Sequence, residues 1–355
     1  MTHTFDGPIF VFMKIALTGG GTLGHVIPAL TVMEKIREED KDADFLFIGS
    51  TKEKEKSAVL SHGIRFYPVS SGKLRRYFSF ENLTDIFRIM RGFFQARKIL
   101  KKERPDVLFS KGGFVSVPVV AAAHTLGIRC ITHESDMTLG LANRINAKFS
   151  EYVCLGFDTG VYKDSRYIFT GNPVRKELTG IKRIKGERKL ILVLGGSQGA
   201  VEINRLIYDS LDEILPLADV YHQAGVHGDF SVKREGYTQV EFIGDELPSL
   251  FSRATLCISR AGAGAVSELG GAGVPMFLIP LGRGASRGDQ IDNAAYAEAL
   301  GKAWVLKEGS SFISQLSDIL TDDERLLKME ASPWPMDGDG SAAAIAALIM
   351  NKEKK

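Results

Sequence analysis

The sequence predicts an α/β protein made of two doubly wound, mainly parallel sheets in tandem. Three observations carry that prediction. Apolar strand-like runs alternate with helical patterns along most of the chain, the βαβ signature of a parallel sheet. Two of these runs, Lys14–Thr18 and Leu190–Leu194, pass straight into glycine-rich turns followed by helices, so the chain has two similar openings. The chain has 355 residues, 44% hydrophobic and 25% charged, which is enough for two ordinary cores rather than one.

In chain order, the first strand leads into Gly19–His25 and a helix led by Pro28, a residue suited to a first helical turn. Further strands are expected at Phe45–Ile48, Phe66–Val69, Val107–Phe109, Arg129–Thr132, Tyr152–Leu155 and Tyr167–Thr170. Gly171-Asn172-Pro173-Val174-Arg175 breaks the alternation, and a charged stretch follows, Lys182–Lys189. The boundary therefore falls within 171–188, and the domains are assigned as 13–174 and 175–336, with a helical end at 337–355. The second half opens at Leu190–Leu194, turns through Gly195–Ala200, and continues with strands at Val220–His222, Val240–Ile243, Leu256–Ile258, Met276–Ile279 and Ala303–Leu306.

Composition excludes several classes. The formal net charge of +2 implies no bulk polyanionic partner such as nucleic acid. Three cysteines, each in an apolar strand-like run and without CxxC spacing, read as reduced thiols and not as a zinc site. No run of about 18 apolar residues predicts a membrane span. The apolar Ile9–Met13 lacks a charged n-region, so a secretion signal is not expected.

The stretch Ile258–Ala294 carries the most chemistry. A short strand enters the turn Arg260–Gly264, and a small-residue helix bearing Glu268 ends at Gly270, Gly271 and Gly273. Such a strand–turn–helix gathers unpaired N–H groups and a positive helix end at one spot, which suits a phosphate. A carboxylate one turn further along can accept hydrogen bonds from paired hydroxyls, as on a ribose. The alternative is a tight βα turn that simply needs glycine. The loop Gly19–His25 spells GxGxxG through Gly19, Gly21 and Gly24, a pattern that by itself does not specify a dinucleotide, and it does not fit GxxxxGK[ST]. Its His25, at a helix N-terminus, either stays neutral with one nitrogen able to act as a base, or caps and packs. HExxH is missing, and no Asp-x-Asp is of the kind that holds a metal on a nucleotide-sugar diphosphate, so such a diphosphate would be stabilised by helix ends and basic side chains, without metal.

Lys73–Lys102 holds nine Lys or Arg and two acids, about +7 by count. Leu83, Ile86, Phe87, Met90 and Phe94 share one helical face, expected to pack on the sheet. Leu74, Tyr77, Phe78 and Phe80 precede it beside Lys73, Arg75 and Arg76. An apolar tip ringed by positive charge suits an anionic bilayer better than RNA, since no RNA-binding motif accompanies it.

Gly20–His25 resembles the GGTGGH loop of the MurG family, the UDP-N-acetylglucosamine transferases that convert lipid I to lipid II in peptidoglycan synthesis. Six further segments resemble the family's in order: Gly112–Ser116, His133–Asp136, Gly171–Arg175, Gly195–Ala200, His222-Gln223, and the stretch with Glu268 and Asp289-Gln290. The likeness spans residues 14–310. It implies a GT-B fold with a C-terminal helix crossing back to the first domain. It implies inverting, metal-independent transfer with no cofactor, from UDP-GlcNAc to the C4 hydroxyl of undecaprenyl-diphospho-MurNAc-pentapeptide. By resemblance, Glu268 takes the ribose hydroxyls and Ile243 meets the uracil through its backbone. Ser197 and Arg175 lie at the diphosphate, and Asp289 and Gln290 at the sugar. Thr22, Leu23, Gly24 and His25 face the diphosphate and acceptor, and Asp136 is a further candidate at the substrate. The segment Leu74, Arg75, Arg76, Tyr77, Phe78 and Phe80 would rest on the cytoplasmic face of the membrane, where cell-wall synthesis proteins are further candidate partners.

Two residues depart from the family pattern. Leu23 replaces a loop glycine, and Asp136 stands where Asn is common. An Asn can only orient an acceptor, while a carboxylate can also take its proton, so the base is His25, Asp136 or both. Ser286 and Arg287 belong to a loop spelled differently from many members. Three other readings compete: another lipid-directed GT-B transferase such as a diacylglycerol glucosyltransferase, a UDP-sugar epimerase, and a nucleotide-sugar-binding regulator without turnover. The GGFVS and HESD segments favour the first-named family over the lipid alternative.

Overall fold

A computed structural model describes residues 12–72, 80–196, 199–282 and 288–351, with side chains of residues 80–83 left aside. Leu74, Arg75, Arg76, Tyr77, Phe78, Ser197, Ser286 and Arg287 lie outside the described residues; Phe80 opens a helix, and nothing is said of its side chain.

The first half runs β1 (Lys14–Thr18), α1 (Leu23–Glu39), β2 (Asp44–Gly49), α2 (Glu53–Leu60), β3 (Arg65–Pro68), α3 (Phe80–Glu103), β4 (Val107–Ser110), α4 (Ser116–Thr125), β5 (Arg129–Glu134), α5 (Leu141–Asn146), β6 (Tyr152–Leu155) and β7 (Tyr167–Phe169). Its sheet has the order β3-β2-β1-β4-β5-β6-β7. The pairings of β1 with β2 and β4 are parallel, so the chain reverses its direction of winding between β1 and β4. Ligands of open α/β sheets bind at such a switch point, beyond the carboxyl ends of the strands. Strand residues bury both faces: Ala16, Leu46, Ile48, Leu108 and Cys130 pack with Ala96, Leu100, Val119 and Ala123 from α3 and α4.

The second half runs β8 (Leu190–Leu194), α6 (Val201–Asp209), α7 (Leu211–Ile214), β9 (Asp219–Gln223), β10 (Tyr237–Val240), α8 (Leu247–Arg253), β11 (Leu256–Ser259), α9 (Ala263–Gly271), β12 (Met276–Leu278), α10 (Asp289–Ala299), β13 (Ala303–Val305), α11 (Phe312–Thr321), α12 (Asp323–Ala331) and α13 (Gly338–Met350). The sheet order is β10-β9-β8-β11-β12-β13, with its switch between β8 and β11. Alternate residues of β8 serve opposite layers. Ile191 and Val193 join Ile203, Ile207, Leu316 and Ile319, whereas Leu192 joins Phe251, Val266, Leu269 and Ala297.

The residues form two compact units. One contains the described residues of 1–133, 140–154 and 345–355; the other contains those of 134–139 and 155–344. In the first, the Arg129 guanidinium donates to the carbonyls of Leu348 and Ile349 at the end of α13, at 2.6 and 2.9 Å, satisfying groups a helix C-terminus leaves open. In the second, the start of α13 lies so close to Val174 that a Cβ on Gly338 would stand 2.1 Å from that side chain.

Three expectations need correction. The helix after the first turn begins at Leu23, and Pro28 sits inside it. The loop geometry sets the start, and the proline costs only one hydrogen bond, to the carbonyl of Gly24. The strand expected at Val240–Ile243 is Tyr237–Val240. Beyond Val240 the chain leaves the ladder, and the Ile243 N–H is taken by the Gln223 side chain at 3.0 Å. The α3 face expected to pack on the sheet instead meets solvent: Ile86, Phe87, Met90 and Phe94 are 47%, 66%, 52% and 63% exposed. Another stripe, with Gly92, Phe93, Ala96 and Leu100, turns inward toward α4. Gly92 permits this, since a Cβ there would stand 2.0 Å from the Ser70 carbonyl oxygen.

The three cysteines are buried free thiols. Burial pushes the Cys130 thiol up to about 12, so it does not act as a nucleophile near neutral pH.

Candidate active site

The second unit carries a cavity of about 530 Å³ at the carboxyl ends of β8 and β11, its switch point. Its walls come from the loop after β8, the loop after β11 and the first turns of α9. Gly195, Gly196 and Gly199 form the first loop. Gly196 and Gly199 have φ of 79°, which favours glycine, and a Cβ on Gly199 would stand 2.4 Å from the Ala224 carbonyl oxygen. Gly262 has a different reason to be glycine. Its φ of −67° suits any residue, and nothing lies within 4 Å of where its Cβ would be. It leaves open space at the N-cap of α9, where backbone N–H groups point outward.

Gly262, Ala265 and Glu268 all line the cavity, three residues apart along α9. Glu268 Oε1 receives a hydrogen bond from Arg175 Nε at 3.3 Å. Burial pushes the Glu268 carboxyl above its usual value, and Arg175 opposes that shift without cancelling it. Arg260 also lines the cavity, held by Glu202 at 2.5 Å and by the Ile279 carbonyl at 3.0 Å. Ile243 and Phe242 stand at another wall, and Phe242 is 64% exposed. Gln290 Oε1 accepts from the Leu281 N–H at 2.9 Å and ties the start of α10 to the loop after β12.

Of the residues singled out from the sequence, Arg175, Ile243, Glu268 and Gln290 meet in this cavity. Asp289 opens α10 after Gly288, whose φ is 93°, and accepts from Thr138 Oγ1 at 3.4 Å. Asp136 lies in the same unit, and its Oδ1 accepts from Asn293 Nδ2 at 3.2 Å. Asn293 also donates to the Ala261 carbonyl at 3.1 Å, which sets its amide orientation. In the first unit, Thr22 is the N-cap of α1 without a side-chain cap bond, and Leu23, Gly24 and His25 are its first three residues. The His25 ring lies against Gly113, where a Cβ would stand 3.1 Å from Cδ2 and 3.3 Å from Nε2.

Sequence reasoning gave no role to Gln223, Phe242, Arg260 or Asn293. Gln223 is 7% exposed and bridges the two sides of the cavity. Its amide donates to the Gly196 carbonyl at 3.0 Å and its oxygen receives the Ile243 N–H. The signal lay in His222-Gln223 at a strand end. His222 itself is structural: burial holds it neutral, its pKa lowered to about 4. Asn204 Oδ1 accepts from its Nε2–H at 3.1 Å and Tyr237 donates to Nδ1 at 2.9 Å, a tautomer fixed because the Asn204 amide donates to the Ala224 carbonyl.

Two parallel Rossmann-like sheets, the second with a cavity at its switch point, are the architecture of the GT-B fold. Residues 15–154 match the glycosyltransferase family 28 N-terminal domain and residues 190–343 match the family 28 C-terminal domain. A Clostridium botulinum (strain Langeland) protein named UDP-N-acetylglucosamine–N-acetylmuramyl-(pentapeptide) pyrophosphoryl-undecaprenol N-acetylglucosamine transferase is 43% identical over 83% of this chain and 86% of its own. A protein of the same name from Staphylococcus carnosus is 44% identical over 86% and 89%. Among solved structures, Acinetobacter baumannii MurG has a TM-score of 0.76 at 23% identity, covering 96% of this chain and 99% of its own. The SsfS6 glycosyltransferase of Streptomyces sp. SF2575, complexed with thymidine diphosphate, shares the fold at a TM-score of 0.65 and 15% identity, covering 96% and 99%. The chain belongs to the MurG family of glycosyltransferases.

Proposed function

We propose that this enzyme moves N-acetylglucosamine from UDP-N-acetylglucosamine to the C4 hydroxyl of undecaprenyl-diphospho-N-acetylmuramyl-pentapeptide. The observation that carries the reading is the cavity in which Gly262, Ala265 and Glu268 succeed one another along α9, in a chain over 40% identical to transferases bearing that name. Glu268 accepts from the ribose hydroxyls. The N-terminus of α9, with Arg175 and Arg260, receives the diphosphate. The Ile243 carbonyl accepts from the uracil imide, its N–H being committed to Gln223. Asp289 and Gln290 serve the sugar. The C4 oxygen attacks the anomeric carbon as the bond to the diphosphate breaks on the opposite side, so the configuration inverts. The C4 proton passes to a base, and UDP departs with its charge held by helix dipole and guanidinium. Incubation with radiolabelled UDP-N-acetylglucosamine and a lipid I analogue should give an acceptor-dependent lipid-linked disaccharide. Free sugar released at the same rate without acceptor would sink the transferase reading in favour of an epimerase-like activity.

The exposed α3 face suits an anionic bilayer. Ile86, Phe87, Met90 and Phe94 supply apolar contact, and Arg88, Arg91 and Lys98 supply positive charge on the same helix. Among the described residues no helix is long and apolar enough to cross a membrane. We propose that this α3 face holds the enzyme peripherally, on the cytoplasmic face. The double substitution Phe87→Ser with Phe94→Ser should lower recovery on anionic vesicles severalfold while turnover of a soluble acceptor stays parental. Undiminished recovery removes α3 as the contact.

A further inference from the structure

We propose that Glu55 and Lys52 are positioning residues for catalysis, gripping the glycine turn from which His25 projects. This rests on the reading of His25 as a group that acts on the acceptor. The helix α2 is a surface element that buries only Glu55 and Val59. Burying a carboxylate is costly unless its oxygens are matched by donors. Here they are. Gly21 N–H donates to Glu55 Oε1 at 2.8 Å, and Ser50 donates to Oε2 through both its N–H at 3.2 Å and its hydroxyl at 2.7 Å. Lys52 Nζ donates to the Gly21 carbonyl from the other side. Both polar groups of Gly21 are thus held by the N-cap and first turn of α2, and Glu55 is 1% exposed.

The rest of the turn is packed just as closely. A Cβ on Gly20 would stand 2.9 Å from Glu55 Oε2, and one on Gly21 would stand 2.5 Å from the Phe114 ring. The Gly20 carbonyl in turn abuts Gly113, the residue that backs the His25 ring. The His25 N–H donates to the Thr22 carbonyl at 3.2 Å, so the ring's backbone is one short step from the gripped peptide. One consequence concerns anions. The Gly21 N–H is already committed to a carboxylate, so it is not a phosphate donor, and an anion at the start of α1 must use N–H groups beyond it. The other consequence is catalytic: displacing a reacting group by about 1 Å can cost about 10²-fold in rate.

Glu55→Gln keeps size but replaces one acceptor oxygen with a donor amide, so it cannot serve Gly21 and the Ser50 N–H together. It should lower kcat by about ten- to a hundredfold and leave KM for UDP-N-acetylglucosamine within about twofold, because the donor cavity lies in the other unit. Lys52→Met, at an exposed position, should lower kcat severalfold with an unchanged thermal midpoint, which covers the case in which Glu55→Gln folds poorly. The decisive measurement is the double variant. In a His25→Ala background, Glu55→Gln should cost nothing further, because the grip acts through that residue. Parental kcat in both Glu55→Gln and Lys52→Met overturns the proposal, and so does an equal loss with and without His25. Parental turnover of His25→Ala alone would instead remove the role of His25, and the grip's catalytic purpose with it.

Discussion

Glu268→Gln should weaken UDP-N-acetylglucosamine binding by about ten- to a hundredfold, as calorimetry at pH 7 would show, since hydrogen bonds to a charged group are worth about 1.5–3 kcal/mol. The amide keeps the shape of the side chain beside Arg175 but gives the ribose one acceptor and one donor in place of two acceptors. The pH dependence gives a second readout. Burial raises the Glu268 carboxyl above its ordinary value. Ligand-free protein therefore takes up this proton at a higher pH than a solvated glutamate does. Donor affinity should begin to fall on acidification above the usual carboxylate range, and Glu268→Gln should lose that dependence. Stability follows the opposite sign. A group whose folded pKa is raised contributes stability below its unfolded value, and loses it as pH rises through the folded value. Ionisation of the buried Glu268 carboxyl thus opposes folding, and Glu268→Gln should raise the unfolding midpoint of ligand-free protein while binding suffers. Parental affinity in that variant would end the ribose assignment.

That contrast between binding and stability explains why this region was legible from sequence. A strand entering glycine and a small-residue helix is a local pattern. The spacing of Gly262, Ala265 and Glu268 along one helix follows from 3.6 residues per turn, whatever the rest of the chain does. The glycines at 196 and 199 announce backbone that other residues avoid. What stayed hidden depends on partners distant in sequence. Asp136 is recognisable as a polar residue after a strand, yet its hydrogen bond comes from Asn293, 157 positions away. Gln223 reads as a strand end, and only the folded chain shows it joining Gly196 to Ile243. The helix α3 misleads for a different reason. It carries two apolar stripes, and periodicity alone cannot say which faces the sheet. The close approach of Gly92 to Ser70 selects the stripe with Phe93, Ala96 and Leu100, and leaves Phe87 and Phe94 outside. Glu55 was invisible as well, because a lone glutamate in a charged helix looks like solvated surface until its partners are known.

His25→Ala should lower kcat by about 10²–10⁴-fold, the usual worth of a positioned general base, with the KM for UDP-N-acetylglucosamine unmoved. The choice of His25 rests on position and on chemistry. Its ring is backed by glycine at 113 and rooted in the glycine turn at the switch point of the first sheet. Imidazoles titrate at about 6.5 and aspartic acids at about 3.9 in peptides, so the former is the better match to an alcohol proton near pH 7. Asp136→Asn tests the competing assignment cleanly. An asparagine oxygen can still accept from Asn293, while the charge, the proton capacity and one acceptor oxygen are lost. We expect that variant to keep most of its turnover, whereas His25→Ala loses it. The reverse pattern transfers the base to Asp136. Intact turnover in both variants would mean that neither residue takes the proton, and that the acceptor hydroxyl is activated by a group other than these two.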